Sequence, residues 1–417
     1  MNVSMMPAPL NGTISAIASK SDAHRLLILA ALSRGETRLV MERRSEDIDA
    51  TIGCLRALGA QLSPESGGVL VRGIEQAAKN PLLDCKESGS TFRFLLPVAA
   101  ALCDRARFTG GGRLPERPVG ELMRAMEEHG VSFSADRLPF TTSGRLNGGD
   151  YALPGNVSSQ YLTGLLLALP LLKELSRITL TTRLESAAYV DITLHALTRF
   201  GAEVREAKGV YSISGGQAIV SPGELRVDGD WSNAAFFLAA GALGAPVRVT
   251  GLDLGSPQGD KAILDALLAF GAPVEASSGS VAVSPAPLKG CEIDVGDTPD
   301  LLPVLAVLGA AAEGETLLVN AARLRLKESD RLASVSAMLR ALGGSVTELP
   351  DALIVRGAKL TGGAVESARD HRIAMAAAIA SVCCKGEVTI LGADAVNKSY
   401  PTFFEDFNRL GGNAHVV

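Results

Sequence analysis

One phrase recurs along the 417 residues at nearly constant spacing. It is the end of an amphipathic helix, then a glycine, then a β-prone stretch. The copies are CLRALGAQL (54–62), AMEEHGVSF (125–133), ALTRFGAEV (196–204), ALLAFGAPV (266–274), MLRALGGSV (338–346) and DFNRLGGNA (406–414). Their glycines, Gly59, Gly130, Gly201, Gly271, Gly343 and Gly411, are separated by 71, 71, 70, 72 and 68 residues. A glycine after a helix has a local reason, because it takes the left-handed conformation that ends the helix. That reason does not fix a spacing near 70 five times in succession. Six copies of one structural module do.

A second signal precedes each glycine. A strand-like stretch leads to a polar cluster, and the cluster opens an apolar helix. The openings are SKSDAHR (19–25), ESGSTFR (87–93), GNVSSQY (155–161), GDWSNAA (229–235), GDTPDLL (296–302) and RDHRIAM (369–375). Strands follow the helices at GETRLV (35–40), RITLTT (177–182), APVRVTG (245–251), GETLLVN (314–320) and GEVTIL (386–391), with a weaker ARFTG (106–110) in the second module. Each module reads as strand, buried helix, strand, amphipathic helix, then one or two strands, which is an α/β repeat. Hydrophobic residues make up 47% of the chain but aromatics only 4%, with Trp231 the sole tryptophan. The apolar mass is therefore alanine, leucine and valine, which suits closely packed buried helices.

Ser, Asp and Asn at the openings are good N-caps. A helix N-terminus also presents free N–H groups and a partial positive charge. Converging openings would form an anion site, and Lys20, Arg25, Arg93, His371 and Arg372 stand at or just inside them. The densest charge run, RLRLKESDRL (323–332), lies between a strand and a helix. Cations flanking a carboxylate there suit the binding of an anion beside an acid/base group. Arg117, held between Pro115 and Pro118, and Lys398, before an aromatic helix start, are further anion candidates.

Composition excludes several classes. With 40 basic and 45 acidic residues the net charge is −5, so the chain is no globally basic nucleic-acid binder. Cys54, Cys85, Cys103, Cys291, Cys383 and Cys384 lack any Cys-x-x-Cys spacing. A disulfide scaffold or cysteine-held zinc is thereby disfavoured, and reduced thiols in the cytoplasm are expected. The five histidines lie singly, so no metal is expected. The N-terminus lacks a secretory pattern. The longest apolar stretch, 161–172, is short of the roughly 20 residues a bilayer span needs.

The ordered motifs resemble the family of 5-enolpyruvylshikimate-3-phosphate synthases over essentially the whole chain. The carriers are SKSDAHR, SGSTFRF (88–94), LPERP (114–118), VSSQY (157–161), SAAYVDITL (186–194), DTPDLLP (297–303), LRLKESDR (324–331), DHRIAMA (370–376) and KSYPTFF (398–404). The resemblance implies an inside-out α/β barrel fold of two similar domains, each of three βαβαββ units around buried parallel helices. One domain would span 19–226 and bind mainly shikimate 3-phosphate. The other would join 1–18 to 227–417 and carry the acid/base and phosphoenolpyruvate-binding residues, with the active site in the cleft between them. The implied reaction moves the enolpyruvyl group of phosphoenolpyruvate to the 5-hydroxyl of shikimate 3-phosphate and releases phosphate. It serves the shikimate pathway to chorismate and aromatic amino acids.

By motif position, the resemblance makes Asp300 the group that takes the hydroxyl proton and Glu328 the group that handles the methyl-carbon proton. Lys20 would span both substrates. Arg117, Arg331, Arg372 and Lys398, with the Gly89 and Ser90 amides, would hold phosphoenolpyruvate. Ser21, Arg25, Ser158, Ser159, Ser186 and Lys327 would hold shikimate 3-phosphate. Gln160 would lie between the two, and His371 would add a polar contact. No cofactor, metal, nucleic acid or membrane is implied, and the chain is expected to be a cytoplasmic monomer.

Several positions depart from the family pattern: Glu87 and Ser90 stand where Asn and Thr are usual, Ile17-Ala18 replaces Pro-Gly or Pro-Ala, and Arg323 stands where Asn or Glu is frequent. They bear on phosphoenolpyruvate affinity and glyphosate sensitivity rather than on the reaction. Two other readings compete. A sister enzyme transfers enolpyruvate to UDP-N-acetylglucosamine, but it lacks the KESDR-like run and usually carries a reactive cysteine in the arginine loop, whereas 104–117 contain none. A non-catalytic α/β repeat related to RNA 3′-phosphate cyclase is opposed by the acidic balance and the paired Asp300 and Glu328.

Overall fold

A computed structural model describes all 417 residues. The chain divides into two compact units, one of Ala18–Val227 and one of Met1–Ile17 with Asp228–Val417. The central unit contains α1 (Lys20–Leu32), α2 (Glu46–Leu58), α3 (Gly89–Leu102), α4 (Gly120–Glu127), α5 (Ser159–Ala168) and α6 (Ala187–Arg199). The split unit contains α7 (Trp231–Leu243), α8 (Ile263–Phe270), α9 (Leu302–Ala311), α10 (Arg331–Ala341), α11 (His371–Ser381) and α12 (Phe403–Arg409).

The six repeats become six four-stranded sheets. Each has one parallel pair and two antiparallel pairs. In the second repeat Leu82–Asp84 runs parallel to Arg105–Thr109, which pairs antiparallel with Phe140–Ser143, which pairs antiparallel with Ser132–Phe133. The parallel pair needs a crossover, and the buried helix supplies it. All six marker glycines have positive φ, from 76° at Gly201 to 114° at Gly59.

Three sheets borrow a strand from far along the chain, and this departs from the simple linear repeat. Gly12–Ser15, which precedes α1, pairs parallel with Val247–Leu252 in the fourth sheet, with Ile14 opposite Val249. Glu224–Arg226, which precedes α7, pairs parallel with Glu36–Val40 in the first sheet, with Leu225 opposite Leu39. The first and fourth repeats thus exchange their leading strands. The sixth sheet takes Val3–Met6 between Val388–Leu391 and Asn413–Val416. The exchange makes the boundaries near 17 and 228, because each unit closes its sheets with strands that the chain delivers on crossing.

Odd-numbered helices up to α11, except for their termini, are buried, and even-numbered ones are amphipathic. Every residue of α11 is buried, whereas α2 buries Ile48, Ile52, Leu55 and Leu58, spaced on one face. Small residues let the buried helices approach closely. A β-carbon at Gly164 of α5 would run into the carbonyl oxygen of Arg93 in α3 and stand 3.1 Å from Pro97 Cγ. Overpacking typically costs about 1–3 kcal/mol, against a gain of roughly 1 kcal/mol for Ala over Gly in a helix. Gly164→Ala is therefore expected to lower the urea midpoint of the purified protein, despite the better helix propensity; an unchanged or raised midpoint would show that the two helices can separate freely.

Candidate active site

Each unit carries a polar cluster at helix openings. In the split unit the cluster is built around Arg331, the first residue of α10, whose side chain is 1% exposed. Its Nη1 donates to Asp300 Oδ1 at 2.6 Å, its Nη2 to Glu328 Oε2 at 2.8 Å and its Nε to Asp370 Oδ2 at 2.9 Å. Asp300 lies in the short 3-10 turn Pro299–Leu301 that leads into α9. Asp370 is the N-cap of α11 and accepts from the Arg372 N–H at 3.0 Å. Arg372 Nη2 returns to Asp300 Oδ2 at 2.9 Å, and Lys327 Nζ stands 3.8 Å from Asp300 Oδ1. Ser329 Oγ donates to Asp370 Oδ2 at 3.0 Å. His371 is buried, its Nδ1 3.8 Å from Asp370 Oδ1.

The structure therefore brings Asp300, Glu328, Lys327, Arg331, His371 and Arg372 together. Lys398 sits at the edge of the same opening, donating to the Arg369 carbonyl at 2.8 Å. Ala368 and Arg369 both hold positive φ, 51° and 55°, so the turn into α11 is strained, as is common at functional sites.

The ionisation states follow from this packing. Burial pushes Asp300 up, but Arg372, Lys327 and Arg331 together hold it well below the usual carboxylate range. Burial opposes the charge on Arg331, and Asp370, Asp300 and Glu328 more than restore it. Loss of hydration pulls Lys327 down to about 8 against the attraction of Asp300. Asp260, on the turn Gly259–Ala262, is raised to about 6 by burial and by the charge of Asp300.

In the central unit the openings of α1, α3 and α5 are capped by Ser19, Ser88 and Ser158. Lys20 Nζ donates to Asp47 Oδ2 at 2.9 Å. Arg25 is buried, its Nη1 on the Ser21 carbonyl at 2.6 Å, its Nη2 on the Tyr189 carbonyl at 2.7 Å and its Nε on Thr193 Oγ1 at 2.8 Å. Burial draws it down to about 10. Ser186 precedes α6 with φ 55° and ψ 46°, a left-handed conformation uncommon for serine. Its carbonyl accepts from the Tyr189 N–H at 3.1 Å, which places it beside the Arg25 contacts.

Gly89 begins α3 beneath two guanidinium groups. A β-carbon there would stand 2.7 Å from Arg117 Nη1 and 2.8 Å from Arg93 Nη1. Arg93 Nη1 donates to Gln160 Oε1 at 2.9 Å, and Gln160 Nε2 donates to Ser90 Oγ at 3.0 Å. Gly89, Ser90, Arg117 and Gln160 thus form one site, with Ser158 and Ser159 at the opening of α5 alongside Gln160. Two arginines over a helix N-terminus make a strong anion seat.

Some residues here escaped the motif reading. In the sequence Arg93 is marked only as a charge near an opening; its position one turn after Gly89 is the available signal. Asp47 and Asp260 belong to none of the motifs.

A scan against protein families matches residues 5–407 to EPSP synthase (3-phosphoshikimate 1-carboxyvinyltransferase). The chain belongs to the EPSP synthase family. A 3-phosphoshikimate 1-carboxyvinyltransferase of Clostridium novyi (strain NT) is 42% identical, covering 99% of this chain and 98% of its own length. One of Methanocorpusculum labreanum is 38% identical, covering 99% of both. Among solved structures, an EPSP synthase from Acinetobacter baumannii superposes with a TM-score of 0.84 at 28% identity, covering 100% of this chain and 99% of that one. The enolpyruvyl transferase NikO from Streptomyces tendae gives a TM-score of 0.81 at 19% identity, covering 99% of this chain and 98% of that one, and shares the fold. The expected enolpyruvyl transferase fold is that of this EPSP synthase family member.

Removing one partner of a buried ion pair typically costs about 3–5 kcal/mol. Arg331→Met should cost that much in urea unfolding at pH 7.5. The deficit should shrink as the pH is lowered towards 5, where carboxylates deprived of their cation take up protons. A deficit independent of pH would mean that the carboxylates are neutralised by something other than Arg331.

Proposed function

We infer that this chain transfers the enolpyruvyl group of phosphoenolpyruvate to the 5-hydroxyl of shikimate 3-phosphate, releasing phosphate. The observation that carries the reading is the pair Asp300 and Glu328 on one buried guanidinium, in a chain of this family. Two carboxylates held apart by an arginine can each move a proton while the cations around them hold anions.

In the first step the 5-hydroxyl oxygen bonds to C2 of phosphoenolpyruvate, and C3 takes a proton as the double bond is consumed. Asp300 accepts the hydroxyl proton and Glu328 supplies the one at C3. In the second step the C2–O bond to phosphate breaks, the methyl group returns a proton to Glu328, and the double bond re-forms. Asp300 gives its proton to the departing phosphate, so both carboxylates end as they began. No electron enters or leaves, so no redox carrier is required.

The resting state of Asp300 fits this role. With Arg372, Lys327 and Arg331 upon it, Asp300 is a weak base. Anionic substrates drawing on those cations weaken that hold and restore its basicity as the reactants arrive. Arg331, Arg372, Arg117, Lys398 and the Gly89 and Ser90 amides hold phosphoenolpyruvate. Ser21, Arg25, Ser158, Ser159, Ser186 and Lys327 hold shikimate 3-phosphate, Gln160 and Lys20 serve both, and His371 adds a polar contact. The reading extends to a monomer in the cytoplasm, where six free thiols persist. No helix is long and apolar enough to cross a membrane.

Phosphate release should require both shikimate 3-phosphate and phosphoenolpyruvate. Release with UDP-N-acetylglucosamine instead would favour the sister activity, and release with neither acceptor would end the reading. Positioned acid/base groups contribute about 100-fold or more, so Glu328→Gln and Asp300→Ala should each lose at least that in kcat while folding normally. Near-normal turnover would remove the residue from the mechanism. Lys327 gives a pH signature. Because its folded value is about 8, its charge is present below pH 8 and lost above it, so the KM for shikimate 3-phosphate should rise above pH 8. Arginine stays charged, so Lys327→Arg should flatten that limb; an unchanged alkaline limb would assign it to another group.

A further inference from the structure

The carboxylate of Glu87 is an oddity, since it stands two residues before the glycine over which Arg117 and Arg93 are folded. A negative charge beside an anion seat opposes binding unless it performs a task there. Its surroundings show the task. Gly112 holds φ 53°, and a β-carbon on it would stand 2.6 Å from each carboxylate oxygen of Glu87. The carboxylate therefore lies broadside on the glycine turn 110–112. Beside it the Gly111 N–H donates to the Lys86 carbonyl at 2.6 Å.

From that turn the chain runs to Arg117 through a short and stiff path. Leu114 N–H donates to the Gly111 carbonyl at 3.1 Å, and Arg117 N–H to the Leu114 carbonyl at 3.2 Å. The 3-10 turn Leu114–Glu116 contains Pro115, and Pro118 follows Arg117. Such a path transmits the position of Gly112 to Arg117, since proline fixes φ and restricts the residue before it. At its far end Arg117 Nη1 returns to Gly89. The segment Lys86–Gly89 thus meets the loop at both ends, through Lys86 and Glu87 at the glycine turn and through Gly89 at the guanidinium.

We propose that Glu87 is a positioning residue: its carboxylate fastens the glycine turn 110–112 to the opening of α3 and so sets Arg117 over Gly89, where the anion of phosphoenolpyruvate is received. Glu87 does not touch the reacting atoms. The proposal rests on the phosphoenolpyruvate reading of the Gly89–Arg117 seat. It differs from a role in folding, because it predicts a selective effect on one substrate.

The test compares Glu87→Ala, Glu87→Gln and Gly112→Ala, each checked for folding by circular dichroism and thermal unfolding. Hydrogen bonds to charged groups are worth enough to change affinity roughly tenfold. Glu87→Ala should raise the KM for phosphoenolpyruvate by about that factor at saturating shikimate 3-phosphate, leaving the KM for shikimate 3-phosphate within twofold. Gln keeps the shape and an acceptor oxygen, so Glu87→Gln should recover most of the loss. Gly112→Ala puts a methyl group where the carboxylate lies and should reproduce the selective KM effect. The double variant should show less than the product of the two single effects, since both act through one contact.

Titration calorimetry with inorganic phosphate as the probe supplies a readout that does not need turnover. Glu87→Ala should weaken phosphate binding and Glu87→Gln should restore it. If the wild type turns over no phosphoenolpyruvate, the functional reading fails, while the phosphate titration still decides the role of Glu87. The proposal is overturned if Glu87→Ala leaves both the phosphoenolpyruvate KM and phosphate binding within twofold of wild type. It is equally overturned if both KM values, kcat and thermal stability deteriorate together, or if removing the charge tightens anion binding.

Discussion

A guanidinium 1% exposed to water cannot be left without partners, and the split unit is organised around that requirement at Arg331. Its three carboxylates come from three separate openings: Asp300 before α9, Glu328 before α10 and Asp370 at the cap of α11. Moving a charge of this size out of water costs several kcal/mol even after relaxation, so the three openings are held in one arrangement or the charge is not tolerated. Arg331, Arg372 and Lys327 face Asp300, Glu328 and Asp370, three cationic groups against three carboxyl groups. A fourth carboxylate would tip the balance, and Asp260 is the group whose burial and neighbour raise it to about 6. The same cations keep Asp300 ionised and leave its basicity sensitive to any anion that competes for them.

The fold was legible in the sequence to the extent that it is local. Gly59 or Gly271 ends a helix because of its own φ, and a polar opening caps a helix through its own side chain. Such signals repeat every 70 residues and can be counted. Strand exchange leaves no such mark. Gly12–Ser15 and Glu224–Arg226 are short, and each sits in sequence just ahead of the helix it was assigned to. Nothing in four or three residues distinguishes pairing with the next strand from pairing with a strand roughly 200 residues away. That information lies in the closure of the sheets; the family resemblance carried only the expected join of 1–18 to 227–417.

The site divides in the same way. Motifs marked Lys20 in a polar opening, Arg117 between two prolines, and Glu328 and Arg331 in a dense charge run. They did not mark what those groups lean on. Lys20 rests on Asp47, which belongs to no motif. Thr91 Oγ1 donates to the Ser88 cap at 2.8 Å and stands 3.4 Å from the Asp47 carbonyl. Thr51 links the same hydroxyl, at 2.6 Å, to His24, at 2.7 Å. A buried relay of small hydroxyl groups thus ties the openings of α1 and α3 through α2. Threonines in helices carry no motif, and their meaning appears only when three helices are brought to hydrogen-bonding distance.

The caps of the buried helices also differ between the two units. In the central unit the buried helices α1, α3 and α5 are capped by neutral serines, so each N-terminus keeps its positive end for a ligand. In the split unit α7 and α11 are capped by Asp230 and Asp370, and α9 is preceded by Asp300 without a side-chain cap. An aspartate cap cancels the positive end of its own helix and leaves a carboxylate that needs cations. Serine caps suit anchoring phosphate and carboxylate groups through N–H groups and arginines. Aspartate at the same places commits the openings to carboxylates, whose proton affinity the neighbouring lysine and arginines then set.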